Sequence, residues 1–509
     1  MMGHVKKQIP SGPPSIRIVS PPPSTSTSFC VRMQIRPGPR QDGRLLSLTP
    51  PGLFTNLSSW PSRMGKGKFR RKAAMRRFVP ERLRDLSQER RAAILKRSME
   101  DVTGIYPEVR AILDDVRVRG DEVAIRHYRK HKRDITVSDL EVKREEIDEA
   151  YAQVDPKVTE ALRKAAANIR KFHQAQLERE MWSIEISQGI LAGRVTRPIE
   201  RVGAYVPAGK APYPSSVLMN ILPARVAGVR EIYVCTPPQE GMRADASILV
   251  AADIAGADRI FKIGGPWAIA SLAYGTKCIP KVDKIVGPGN RYVTAAKMLV
   301  FGSVDIDSPA GPSEVLILAD ESGDPRLTAV DMLSQLEHDQ DAAAVLVTTS
   351  EDLAHEVSQF ISRELDRLPR REIMEAALSK NSAILIAEDM GEAIRFTNEY
   401  AAEHLQIIVR DPWTILARID HAGSIFLGPY APVPVGDYAS GTNHILPTGQ
   451  CARMFSGLSV DDFMKKPTFQ YVSREGLEGL KDTIVTLAEA EGLMMHARSV
   501  KERFRTDGS

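Results

Sequence analysis

RVGAYV (201–206), EIYVCTP (231–237), RIFKIGG (259–265) and DKIVGPGN (283–290) are short apolar runs, each followed by a stretch with helical spacing. Those stretches are PSSVLMNILPARVAGV (214–229), ADASILVAADIAGA (244–257), AIASLAYG (268–275) and RYVTAAKMLVFG (291–302). Strands apolar on both faces, alternating with helices, predict a mostly parallel sheet covered on both sides. The same grammar resumes beyond residue 313. EVLILAD (314–320), AAVLVTT (343–349), SAILIAE (382–388), HLQIIV (404–409) and SIFLG (424–428) read as strands, and LTAVDMLSQLEHD (327–339) and DLAHEVSQFISREL (352–365) as helices. The predicted fold class is therefore α/β: two Rossmann-like α/β/α domains with parallel sheets, joined by DIDSPAGPS (305–313). Neither carries GxGxxG, the usual dinucleotide fingerprint.

Outward from these units the chain is helical. SQERRAAILKRSME (87–100), YPEVRAILDDVRVRG (106–120) and VTEALRKAAANIRKFHQAQLE (158–178) read as helices before the first sheet. The tail from about 459 ends in GLEGLKDTIVTLAEAEGLMMHARSVKERF (476–504), which has little to bury itself against alone and must pack on the body or on another subunit.

The 509 residues fit several domains, and 43% hydrophobic with 26% charged residues is a globular composition. No run of about 18 uncharged apolar residues suggests a membrane span. Cys30, Cys235, Cys278 and Cys451 show no CxxC spacing, which excludes a thiolate zinc or redox motif and fits a reducing, cytoplasmic setting. The net charge of +5 hides an asymmetry: residues 1–80 carry 15 Lys/Arg against Asp42 alone, so the rest is acidic at −9 and unsuited to nucleic acid. The same 80 residues hold 12 of the 34 prolines and keep no periodicity. Residues 1–75 read as a disordered leader or as a mis-assigned start upstream of Met64 or Met75, with an organelle transit segment as the third reading.

Turn glycines Gly264-Gly265 and GPGN (287–290) end strands beside helix starts, where free amides suit a phosphate. Among the ten His, His127 and His131 read as solvated helix residues, and His173 and His355 as structural or exposed. Gln335 and His338 are three apart and share a helix face, as an oxygen/nitrogen metal site requires. Glu403 and His404 are adjacent at the entrance of a strand, where an acid and an imidazole can handle protons. Asp437 and His444 lie in PVGDYASGTNHILPTG (434–449), crowded with distinct polar groups. Glu491 and His496, five apart in the tail, share one cavity only if it wraps around the helix or the helix turns at Gly492. Gln, His, Asp and His without sulfur suit zinc, and also manganese or cobalt.

With these residues in place, the chain from about 80 to 505 resembles the histidinol dehydrogenase family. The likeness rests on GAYVPAG (203–209), KVDKIVGPGN (281–290), DSPAGPSEVLILAD (307–320), LSQLEHD (333–339), AAEHLQ (401–406), GDYASGTNHILPTG (436–449), FSGLSVDDFMK (455–465) and EGLMMHA (491–497), in that order. The resemblance implies oxidation of L-histidinol through an aldehyde to L-histidine with two NAD+, the last step of histidine biosynthesis. It implies one zinc per subunit on Gln335, His338, Asp437 and His496, with His404 as general base and Glu403 activating water. Ser313, Gln335, His338, His404, Asp437, His444, Glu491 and His496 would face the substrate, and Tyr205, Trp267 and Asn290 the NAD+. It also implies a homodimer in which the helical tail crosses to the partner, so that Glu491 and His496 complete the other subunit's site. The implied division is an N-terminal helical segment at 76–100, a larger α/β domain from 101–204 and 314–458, an NAD-binding domain at 205–313 and a swapped tail at 459–509. Two positions depart from the family pattern. GGPWAIA puts Trp267 where many members have a Gln that contacts NAD+, and SGTNH replaces SGPNH. A related branch that oxidises sulfopropanediol tends to carry Lys where this chain has Tyr438, and a sulfonate needs a cationic or multi-donor pocket. The remaining alternative is an inactive α/β binding scaffold.

Overall fold

A computed structural model of the chain describes residues 78–97, 102–208, 212–308 and 311–505. The leader expected at 1–75 lies outside the described residues. The first elements are a short strand, β1 (Glu81–Arg82), and α1 (Gln88–Lys96), whose N-terminus is capped by Ser87 accepting from the Arg90 N–H. Four helices follow: α2 (Tyr106–Arg119), α3 (Asp121–Tyr128), α4 (Arg144–Gln153) and α5 (Pro156–Gln174). In α2 the inward residues are Val109, Leu113 and Val116, an apolar stripe at helical spacing.

A five-stranded parallel sheet then forms from β5 (Arg201–Tyr205), β6 (Glu231–Thr236), β7 (Arg259–Lys262), β8 (Lys284–Val286) and β9 (Asp305–Ile306), following the short strands β2 (Met181–Ser187), β3 (Ile190–Val195) and β4 (Arg197–Pro198). Its order is β7-β6-β5-β8-β9, all neighbours parallel. Helices α6 (Pro214–Ala227), α7 (Ala246–Ala255), α8 (Gly265–Tyr274) and α9 (Arg291–Val300) connect the strands. The strand order reverses between β5 and β8. At that crevice Gly287 adopts φ +117°, and a Cβ there would lie 2.1 Å from the Tyr205 carbonyl oxygen, so the GPGN turn must begin with glycine.

The six-stranded sheet contains β10 (Glu314–Ala319), β11 (Ala343–Thr348), β12 (Ala383–Ile386), β13 (His404–Ile408) and β14 (Ser424–Leu427). It too is parallel, ordered β1-β12-β11-β10-β13-β14, so the N-terminal β1 forms its outer edge. Its connections are α10 (Pro325–Leu336), α11 (Glu351–Glu364), α12 (Arg371–Asn381), α13 (Met390–Tyr400) and α14 (Pro412–Leu416), with α15 (Val433–Tyr438) after the last strand. Each face of each sheet has its own apolar core.

Two expectations need correction. Helices in 101–204 were assigned to the larger domain, yet α2 packs on α8 and α9, and α5 on α6 and α7. The reason is their apolar stripes: Val109 and Leu113 share a core with Ile269 and Ile285, while Leu162 and Ile169 share one with Val217 and Val250. The tail was read as helical throughout. Instead a 3-10 turn at Val460–Phe463 is followed by β15 (Met464–Lys465) and β16 (Thr468–Val472) before α16 (Arg474–Ala490) and α17 (Met494–Lys501). β16 pairs antiparallel with β3, which pairs with β2, and β15 pairs with β4. Gly492 at φ 75° separates α16 from α17, so the tail does turn there. This arm is exposed: Met181, Ile184 and Ile186 of β2 are 61%, 55% and 60% accessible.

Candidate active site

Val315 of β10 lies opposite His404 of β13 in the parallel register, so Glu314 and Glu403 stand together at the amino edge of the six-stranded sheet. Charged residues at the mouth of otherwise apolar strands need partners, and these supply each other's. The Glu314 N–H donates to Glu403 Oε2 at 2.8 Å, and the Glu403 N–H donates to Glu314 Oε1 at 3.1 Å. His404 Nδ1 lies 3.0 Å from the Glu314 carbonyl oxygen and 3.3 Å from Glu403 Oε2. A carbonyl only accepts, so Nδ1 carries a hydrogen and the imidazole's basic lone pair belongs to Nε2. Nε2 is buried without a hydrogen-bond partner, and Asp437 Oδ1 is 3.6 Å away. Burial disfavours the imidazolium of His404, but the carboxylates of Glu403 and Asp437 outweigh it and hold its pKa well above the usual value. Burial pushes the Glu403 carboxyl up despite the neighbouring His404. Burial also opposes ionisation of Asp437, yet His404, His444 and His338 together hold its pKa below the ordinary aspartate value.

The segment around Asp437 ties this edge to the first sheet. His444 Nδ1 lies 2.8 Å from the Asp437 carbonyl oxygen, and its Nε2 is 3.0 Å from Ser216 Oγ, near the start of α6. Asn443 Nδ2 donates to the Met219 carbonyl in the same helix. The amino edge of one sheet is thereby joined to the carboxyl edge of the other.

Gln335 and His338 sit at the C-terminal end of α10, which runs back against its strand and so ends at the amino edge. Gln335 is 2% exposed and its Nε2 has no partner, while His338 is exposed. A buried amide without a protein partner fits a ligand beside it, whichever way the amide is turned. Gln335, His338 and Asp437 give an oxygen/nitrogen donor set that suits zinc. Among the described residues, no three His, Cys, Asp or Glu side chains form a metal-holding group. Glu491 and His496, at the end of α16 and in α17, are exposed. No hydrogen bond or ion pair joins their side chains to Asp437, His404 or His338 among the described residues.

The three positions assigned to the cofactor lie at the carboxyl edge of the five-stranded sheet. Tyr205 is 3% exposed, and its hydroxyl accepts from the Gly265 N–H at 3.2 Å. It holds the Gly264-Gly265 turn rather than presenting a free hydroxyl. Asn290 caps α9, its Oδ1 accepting from the Tyr292 and Val293 N–H groups. Trp267 stacks on His127, with ring centroids 3.7 Å apart and planes at 26°. His127 is therefore not the solvated residue expected. Burial, then Lys130 and His131, lowers its pKa from 6.5 to about 4. A base with a depressed folded pKa contributes stability that is present above the unfolded value and lost as the proton binds. Melting temperature should accordingly fall between pH 6.5 and 4 more steeply in the wild type than in His127→Phe, which keeps the ring but not the titration. Parallel curves would refute this.

Ser313, at the mouth of β10, is half-buried. Glu314, Ser216 and Asn443 contribute to the site but were not singled out in the sequence. Glu314 carried a signal, a carboxylate opening the otherwise apolar EVLILA strand.

The family described as histidinol dehydrogenase matches residues 95–504. A histidinol dehydrogenase of Methanococcus maripaludis is 50% identical over 427 residues, 84% of this chain and 100% of the relative. One from Bacillus anthracis is 50% identical over 400 residues, 79% of this chain and 92% of the relative. The crystal structure of histidinol dehydrogenase from Elizabethkingia anophelis is 39% identical with a TM-score of 0.78, covering 82% of this chain and 96% of that one.

Proposed function

The chain belongs to the histidinol dehydrogenase family, and from that premise we propose the part each side chain plays. The protein oxidises L-histidinol to L-histidine, a four-electron, NAD-dependent reaction that passes through an aldehyde. His404 takes the hydroxyl proton on Nε2 as the carbinol hydride leaves. The observation that carries this assignment is an Nε2 with no hydrogen bond, facing the Asp437 carboxylate at 3.6 Å, opposite an Nδ1 fixed on the Glu314 carbonyl. Glu403, whose raised pKa makes it a stronger base than an exposed carboxylate, then takes a proton from the water that adds to the aldehyde. His404, having released its first proton to solvent, takes a hydroxyl proton from the hydrated aldehyde as the second hydride leaves, and the acid so formed ionises to the carboxylate. NAD+ supplies the acceptor in both steps. Gln335, His338, Asp437 and a tail His496 would hold zinc, which would supply a template for the substrate's amine and imidazole, and Asp437 so engaged would pull less on the His404 proton. Ser313, His444 and Glu491 hold the substrate, Glu491 nearest its charged amine.

The unit around the five-stranded sheet is the NAD-binding domain in this reading. Tyr205 and Asn290 flank the crevice where the strand order reverses, the usual place for a dinucleotide in such sheets. Trp267 offers the cofactor an aromatic face where relatives offer an amide. The working form is a homodimer. What supports it is the arm of β2, β3, β16 and the tail, with Leu487, Met494 and Met495 at 59%, 59% and 69% exposure, more apolar surface than a monomer ordinarily leaves open. A second copy covers this arm, and Glu491 and His496 enter its site. Among the described residues no helix is long and apolar enough to cross a membrane, and Cys235, Cys278 and Cys451 are free thiols. We place the enzyme in the cytoplasm.

The test is NADH formation. Two NADH per L-histidinol are expected, none from sulfopropanediol, whose sulfonate finds the phenol of Tyr438 in place of a cation. Chelator dialysis should abolish turnover and zinc restore it. Full activity with no bound metal would overturn the zinc assignment, and turnover of the sulfonate would overturn the substrate assignment.

A further inference from the structure

Arg97 follows α1 more than 200 residues from the strands that form the site, yet its side chain is buried at their amino edge. Its Nε and one terminal nitrogen donate to both oxygens of Glu314 at 2.5 Å, and both side chains are nearly inaccessible, at 1% and 3%. The remaining donors reach main-chain carbonyls: Tyr400 at 2.8 Å, Ala401 at 3.2 Å and Leu95 at 3.0 Å. The guanidinium also lies 3.7 Å from the centre of the Tyr400 ring. Apart from Leu95 in its own helix, the residues it touches lead to the catalytic pair. Glu314 grips Glu403 and His404 through its main chain, and its carboxylate accepts from the N–H groups of Glu403 and Gly449. Ala401, two residues before Glu403, sits at φ 50°, a left-handed conformation a residue with a Cβ seldom holds unaided. Arg97 itself is at φ 44°. The two residues with positive φ are joined by the hydrogen bond from Arg97 to the Ala401 carbonyl, and the same guanidinium is held by the buried ion pair with Glu314, an arrangement that holds geometry rather than one that merely fills space.

We infer that Arg97 is a positioning residue for the oxidation: through Glu314 and the Ala401 turn it fixes Glu403 and His404 where they meet the substrate. This rests on the assignment of those two residues as base and water activator. The planar guanidinium is needed because one group must span a carboxylate and three carbonyls, which an ammonium cannot reach from a single point.

The experiment uses the full-length enzyme. Removing one partner would leave a buried charge unpaired, so the main variant is the neutral double change Arg97→Met with Glu314→Gln. Its kcat on L-histidinol should fall roughly 10–100-fold with KM changed less than about threefold, the loss expected when reacting groups are misplaced without losing the substrate. Arg97→Lys keeps the charge and serves if the double variant does not fold. It should lose about tenfold in kcat, because the fork that spans the carbonyls is gone. A folded double variant or a Lys variant with unchanged kcat would reduce the pair to a stability role and overturn the inference. His404→Asn separates the two failures. If it abolishes turnover while the Arg97 variants do not alter kcat, only the positioning role falls; if it too is active, the underlying assignment falls.

Discussion

His404→Asn lowers turnover of L-histidinol by roughly 10²–10⁴-fold, the range for loss of a general base, with bound metal unchanged. Asparagine suits the test because its amide N–H₂ can still donate to the Glu314 carbonyl that now faces Nδ1 at 3.0 Å. The strand entrance therefore keeps its hydrogen bond, and what disappears is the lone pair at the Nε2 position. KM should move less than kcat, since most of the substrate's proposed contacts lie with other residues. Glu403→Gln makes the complementary change: the amide can still accept from the Glu314 N–H but cannot take a proton from water. It should slow the aldehyde half of the reaction more than the alcohol half, measured by supplying each substrate separately. Near-normal turnover in His404→Asn would remove the base from the scheme.

The second large effect is recovery of activity on mixing two dead enzymes. His404→Asn and His496→Asn should each be nearly inactive alone. After subunit exchange, about half of the dimers are mixed, and each mixed dimer holds one site free of both changes, so activity should rise to about a quarter of wild type. The structural motive is that His496 and Glu491 are exposed on a tail broken at Gly492, with no side-chain bond to Asp437 or His338. If the tail served its own subunit's site, every mixed dimer would contain two damaged sites and the mixture would stay inactive. That result would end the exchanged-tail reading.

The parallel sheets were legible because a strand buried on both faces has no polar alternation to blur it. EVLILA and AAVLVT are buried at every position. The β2–β3 hairpin was harder: MWSIEIS is exposed throughout, so its apolar residues mark a surface rather than a core. Glu403, His404 and Asp437 were legible as chemistry placed at strand and loop ends. Arg97 was not, because it closes a highly charged helix and its partner lies 217 residues away. His127 was misread for a related reason: its neighbours Arg129, Lys130 and Lys132 suggested solvent, and only the tertiary stack on Trp267 shows otherwise.

The opposed edges of the two sheets give the cleft a polarity of its own. On the side of the five-stranded sheet, α8 and α9 begin a few residues after their strands and α6 after a longer connection, so their N-terminal ends, each carrying about half a positive charge, lie at that edge. On the side of the six-stranded sheet the strands begin where helices end: the C-terminal turn of α10 presents partial negative charge beside Gln335, while that of α13 is already engaged by Arg97. One wall thus favours the pyrophosphate of a dinucleotide and the other a metal cation and an ammonium group. In the proposed reading, the backbone alone would favour opposite sides of the gap for the two guests.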